Sequence, residues 1–145
     1  MHITIEDHQP LEARRPFASP PFATAILDCS RYSLLDCIQN AGMPLAFDIR
    51  APGAQRLCLL VATASVLAVR TGLKPSSDMA KFFDGAFPKD KPVYRPPRLA
   101  WILHCDYDHI YHLLEAGALA DAGGARRYQI PRESIVDFLA KRRLA

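Results

Sequence analysis

The chain has 145 residues, is 50% hydrophobic and 23% charged, and carries a formal net charge of +3. That length and composition build one ordinary domain, or two very small ones sharing a core, and exclude a wholly disordered chain. The mild basicity permits a polyanionic partner without requiring one.

The four cysteines, Cys29, Cys37, Cys58 and Cys105, form no Cys-x-x-Cys pair, which speaks against a zinc ribbon. The opening MHITIEDHQP contains acids and no apolar leader core. A cytoplasmic setting is therefore expected, with the cysteines reduced and packed as small hydrophobes. The longest apolar run, 57–69, is broken by Thr63 and Ser65 and is too short to cross a bilayer, so no membrane partner is expected.

Along the chain, residues 1–18 read as an N-terminal arm, with the Ile-Thr-Ile at 3–5 suited to an edge strand. Residues 19–71 open with SPPFATAILDCS and run into the apolar-periodic SLLDCIQNAGMPL at 33–45. They then pass GAQR at 53–56 and end in the helix-like ATASVLAVR at 62–70. Residues 72–93 read as a linker. Within it DMAKFF is expected to form one or two helical turns that dock Phe82, Phe83 and Phe87 on a module.

Residues 94–145 are easier to read locally. Pro96-Pro97 suits a helix start, since proline costs nothing at the first helical position. Leu99, Ala100, Ile102 and Leu103 form a short apolar face. Cys105-Asp106 reads as a turn, with Asp106 as N-cap of the next helix. There Ile110, Leu113 and Leu114 recur at helical spacing, and Gly117 ends the helix. The stretch from Leu119 to Ile130 reads as a short hairpin with a Gly-rich tip carrying Arg126 and Arg127. Pro131 opens a last helix with Ile135, Phe138 and Leu139 on one face. Its Lys141-Arg142-Arg143 ending is expected to be a solvated helix terminus.

The two parts resemble each other. SPPFATAILDCS at 19–30 and RPPRLAWILHCD at 95–106 share five of twelve positions, including the Pro-Pro pair and the Cys. Each continues through an Ala-Gly pair, then a Gly-Ala-x-Arg stretch, then a final helix-like piece.

The second copy also resembles the excisionase-like helix-turn-helix family, relatives of the MerR-type winged helices. The resemblance rests on Leu99-Ala100, Leu103, Cys105-Asp106, Ile110-Tyr111, Leu113-Leu114, Gly117-Ala118-Leu119, Arg126-Arg127 and Ile130-Pro131-Arg132-Glu133. It covers about 94–143; residues 19–71 share it only through the second copy. It implies a mainly helical fold with short β-hairpin wings, in which two tandem winged helix-turn-helix modules pack as a pseudo-twofold unit. The contact between modules is expected to use Leu57, Leu59, Val61 and the linker phenylalanines.

The implied partner is double-stranded DNA, read in the major groove by the start of the second helix and on its backbone by a basic wing. The expected role is a transcription regulator, or an architectural or accessory factor of a mobile element acting in DNA recombination. In the first copy the groove residues are Arg31, Tyr32 and Ser33, and the wing residues Arg50 and Arg56. In the second they are Tyr107 and His109, with Arg126, Arg127 and Arg132. The second copy departs from the family by placing Asp106 and Asp108 where phosphates would repel them. The first copy is therefore the better candidate for base contact. The rival reading is a protein-interaction or assembly module that keeps the fold without binding DNA, with a homo-oligomer or another protein as partner.

The run from His104 to His112 also invites a metal, because His109 and His112 share a helical face. No second ligand cluster accompanies it, so neither a metal nor a cofactor is expected. There is no Gly-rich phosphate loop, no Gly-x-Ser-x-Gly and no His-Glu-x-x-His, and no enzyme is expected.

Overall fold

The structure is a computed structural model that describes residues 15–40, 42–123 and 127–144. The Ile-Thr-Ile at 3–5 lies outside the described residues.

Seven helices and five short strands alternate through the described residues. In the N-terminal half they are β1 (Phe17–Ala18), α1 (Pro20–Leu27), α2 (Arg31–Gln39), β2 (Ala46–Asp48), β3 (Leu59–Ala62) and α3 (Thr63–Arg70). Helix α4 (Met79–Ala86) bridges to β4 (Val93–Tyr94), α5 (Pro96–Ile102), α6 (Tyr107–Glu115), β5 (Ile130–Pro131) and α7 (Arg132–Lys141). The fold is mainly helical with small antiparallel sheets.

Local chemistry explains the helix boundaries. Proline pairs occupy the first positions of α1 and α5, where a missing N–H costs nothing. The Ser30 hydroxyl caps α2 by accepting from the Ser33 N–H at 3.1 Å. The Asp78 carboxylate caps α4 by accepting from the Lys81 N–H at 3.0 Å. Asp106 stands at the N-cap of α6, yet its side chain makes no cap hydrogen bond. Gly117, at φ 75°, turns the chain out of α6 in the left-handed conformation a side chain resists.

The halves share an order of elements and a set of backbone details. Asp28 and His104 both sit at left-handed φ between two helices. The following residue donates back into the first helix in each half, Cys29 N–H to Thr24 O at 3.1 Å and Cys105 N–H to Ala100 O at 3.0 Å. Strand β1 pairs antiparallel with β3, as β4 does with β5. The last helix of each half begins without a loop after its strand. Its first N–H donates to the residue before the opening strand, Thr63 to Pro16 at 2.9 Å and Arg132 to Pro92 at 2.8 Å.

The β1–β3–β2 sheet is buried on both faces and forms the wall between two apolar clusters. Ala18, Ala46, Leu59 and Val61 face α1, α2 and α3 through Ala23, Leu34, Ile38 and Val66. Phe17, Phe47, Leu60 and Ala62 face the other way, into a core shared with Phe83, Phe87, Leu99, Ile110 and Leu139. This corrects the expected contact between the halves. Leu59 and Val61 belong to the inner cluster, and the neighbouring residues Leu60 and Ala62 reach across, because side chains alternate along a strand. The phenylalanines of α4 dock as expected, but 72–93 is more than a linker, since Phe83 and Phe87 are core residues. The arm assignment for 1–18 likewise fails at Phe17 and Ala18, which are fully buried.

The C-terminal residues close the structure in an unexpected way. After α7 the chain lies along β2, where Phe47 and Arg143 form an antiparallel bridge. The Asp48 N–H donates to Arg142 O and the Leu144 N–H to Ala46 O, both at 2.9 Å. The Arg143 guanidinium donates to Pro44 O at 2.9 Å. Lys141 is a solvated helix end as expected, whereas Arg142 and Arg143 form a structural stitch between the halves.

Candidate nucleic-acid interface

The first turn of α2 carries Arg31, Tyr32 and Ser33, all exposed. Leu34 and Ile38 are buried beneath it and hold the helix in place. Tyr32 is 87% exposed, an unusual position for a large aromatic ring. Arg31 borders a cleft of about 390 Å³ whose other walls include Pro20, Leu57, His104, Asp106 and His109. The starts of α2 and α6 thus meet at one cleft.

The start of α6 is differently equipped. Tyr107 is 56% exposed and flanked by Asp106 and Asp108, both exposed. His109 does not present itself as a groove residue: its Nε2 lies 2.6 Å from Ile49 O, and the ring is half-buried. That contact ties α6 to the loop of the N-terminal half. Among the described residues no three His, Cys, Asp or Glu side chains are grouped as a metal would need.

The loop between β2 and β3, where the wing of the first copy is expected, joins an antiparallel strand pair and is organised by buried Asp48. Asp48 Oδ1 accepts from the Arg50 and Cys58 N–H groups, each at 3.1 Å, and Oδ2 accepts from Arg50 Nε at 2.6 Å. Burial disfavours the carboxylate, but the two backbone N–H groups and the Arg50 side chain more than offset it and hold the carboxyl below its ordinary range. Arg50 also donates to Gln55 O at 3.1 Å. Its guanidinium is thereby committed to bracing the loop, a correction to its expected role as a phosphate contact. Arg56 is exposed and makes no such bonds among the described residues.

In the C-terminal half, Asp121 takes the organising role. Its Oδ1 accepts from the Gly123 N–H at 2.8 Å and the Gln129 N–H at 3.0 Å, which keeps its carboxyl below the ordinary range. The Ala122 N–H donates to Gln129 O at 2.8 Å, and Tyr128 packs edge-on against Tyr111 of α6 at 5.4 Å. No strand pair forms between the arms among the described residues; β5 pairs with β4 instead. Arg127 is exposed at this loop, and Arg126 lies outside the described residues.

Arg132 is the third correction. Its Nε donates to Phe87 O at 2.5 Å and its Nη2 to Asp84 Oδ1 at 3.1 Å. It clamps α7 to α4 and is spoken for in the folded chain. One basic feature escaped sequence reasoning. Arg98 lies over the ring of Trp101 at 4.9 Å and Arg15 over the same ring at 5.3 Å, with Trp101 39% exposed. Arg98 and Trp101 are three residues apart on α5, a spacing that puts them side by side and was readable in advance.

All four cysteines are unpaired and half-buried. Burial pushes the Cys105 thiol up to about 12, so it is inert as a nucleophile at neutral pH. No helix among the described residues is long and apolar enough to cross a membrane. No family model matches the chain, and neither a curated protein nor a solved structure is significantly similar to it.

Proposed function

We propose that the protein binds double-stranded DNA through the exposed start of α2, as a diverged tandem of winged helix-turn-helix units related to the excisionase-like family. One observation carries the reading: α2 is capped by Ser30, anchored by Leu34, and presents exposed Arg31 and Tyr32 with no hydrogen bond or ion pair among the described residues, beside an exposed Ser33 whose hydroxyl accepts from Ser30 at 3.2 Å. Helix starts of this kind offer side chains to base edges in the major groove. Arg56 and Arg127, exposed on the two loops, supply backbone contacts, and the Arg98 guanidinium on α5 is a further candidate for a phosphate. Arg50, His109 and Arg132 serve by holding the scaffold. The role that follows is that of a small regulator or accessory DNA-binding factor.

A second reading is favoured by the acidic start of α6, where exposed Tyr107 lies between Asp106 and Asp108. That surface suits a protein partner, in which case the DNA-facing part is confined to the N-terminal half. Titration of a fluorescent random-sequence duplex at about 50 and 200 mM salt separates the readings. DNA binding is expected to weaken steeply with salt. No binding at micromolar protein in low salt leaves only the assembly module.

A further inference from the structure

We propose that the cavity between the start of α3 and helix α4 binds a small amphipathic anion, a carboxylate carried on an apolar body. This inference stands apart from DNA binding. The cavity has a volume of about 520 Å³, within the roughly 300–1,000 Å³ typical of small-molecule sites. Leu45, Leu67 and Phe82 are among its apolar lining residues, and Thr63, Arg15 and Lys81 among its polar ones.

Two features mark it as built for an anion. Helix α3 starts without a side-chain cap, because Ala62 holds the N-cap position. The Thr63 N–H is used by Pro16 O, whereas Ala64 and Ser65, the next residues of the first turn, line the cavity. First-turn N–H groups have no partner within their own helix and favour negative charge. Independently, Thr63 is only 4% exposed, and its hydroxyl is buried with no hydrogen-bond partner among the described residues. Arg15 Nε is buried in the same unpaired state. Buried polar atoms are almost always satisfied, and both of these belong to residues that line one cavity.

The charge balance agrees. Among the described residues the cavity's one carboxylate, Asp78, is occupied in capping α4. Against it stand Arg15 and Lys81. A bare inorganic anion would leave the apolar wall empty, and a neutral hydrocarbon would leave the Thr63 hydroxyl unpaired. A molecule with one anionic head and a compact apolar body satisfies both.

Calorimetric titration of the full chain with 4-phenylbutyrate tests this, with 4-phenylbutyramide as the neutral control. Saturation at one equivalent is expected, with the amide about ten-fold weaker or worse. Thr63→Val keeps the shape and removes the hydroxyl. It is expected to raise the melting temperature of the unliganded protein, since an unpaired buried group is lost, and to weaken 4-phenylbutyrate binding several-fold. Lys81→Gln, at an exposed position, is expected to weaken it as well. Absence of saturable binding at millimolar ligand, equal affinity for acid and amide, or unchanged affinity in both variants overturns the proposal.

Discussion

Asp28 and His104 stand at positions 28 and 104, a spacing of 76, and adopt the same left-handed backbone, at φ 49° and 52°. Each reverses the chain between the first two helices of its half. The Pro-Pro helix starts carry the same spacing, at 20 and 96. The repeat in the sequence is therefore also a repeat of backbone geometry, although few side chains are shared.

A β-branched residue resists the left-handed conformation by about 1–2 kcal/mol. Asp28→Val is expected to destabilise the protein by roughly that amount, whereas Asp28→Gly is expected to be tolerated. Denaturant midpoints for the two variants check this. Equal loss in both would mean the position is not held at positive φ.

Arginines that look alike in sequence should separate in experiment. Arg132→Ala removes the donor to Phe87 O and Asp84 and is expected to cost roughly 1–3 kcal/mol. Arg31→Ala removes an exposed side chain and should leave stability within about 0.5 kcal/mol while weakening DNA binding. Paired melting and binding curves for the two variants test the division. A destabilised Arg31→Ala would show that Arg31 braces the fold.

The C-terminal stitch ties the last residues to β2 and to Pro44, 99 positions before Arg143. Ending the chain at Lys141 deletes the hydrogen bonds of Arg142, Arg143 and Leu144 to the strand. At about 1 kcal/mol for each of three bonds, a loss of roughly 3 kcal/mol is expected. Hydrogen exchange should quicken at Asp48. Unchanged exchange there would show that the stitch contributes nothing.

Much of the helical framework was legible because its signals are local. Prolines, caps, the Gly117 terminus and the i, i+3, i+4 stripes act within a few residues. The phenylalanines of α4 were legible by their bulk alone. What the sequence hid is long-range. Nothing local says that Leu60 and not Leu59 faces the shared core, because a strand buried on both faces has no polar alternation to set its register. Nothing distinguishes Arg31 from Arg50 or Arg132 until Asp48, Gln55, Phe87 and Asp84 are brought beside the latter two. His109 looked like a groove residue because its partner, Ile49 O, is backbone and lies 60 residues away.

Asp48 makes the β2–β3 loop sensitive to acid. Its folded-state carboxyl titrates below the unfolded value of about 3.9. It therefore contributes stability above that value, and the contribution is lost as pH falls towards the lowered folded value. Asp48→Asn is expected to be less stable than the parent near pH 6, with the gap closing towards pH 3. Denaturant melts at the two pH values measure it. A gap independent of pH would mean that the carboxylate charge plays no part.

The most direct measurement is a map of backbone amide shifts in the labelled protein during titration with a short duplex at low salt. Shifts centred on Arg31, Tyr32 and Ser33, with smaller ones at Arg56 and Arg127, are the expected result. A spectrum that does not move, or moves only around α4, would contradict DNA binding by the start of α2.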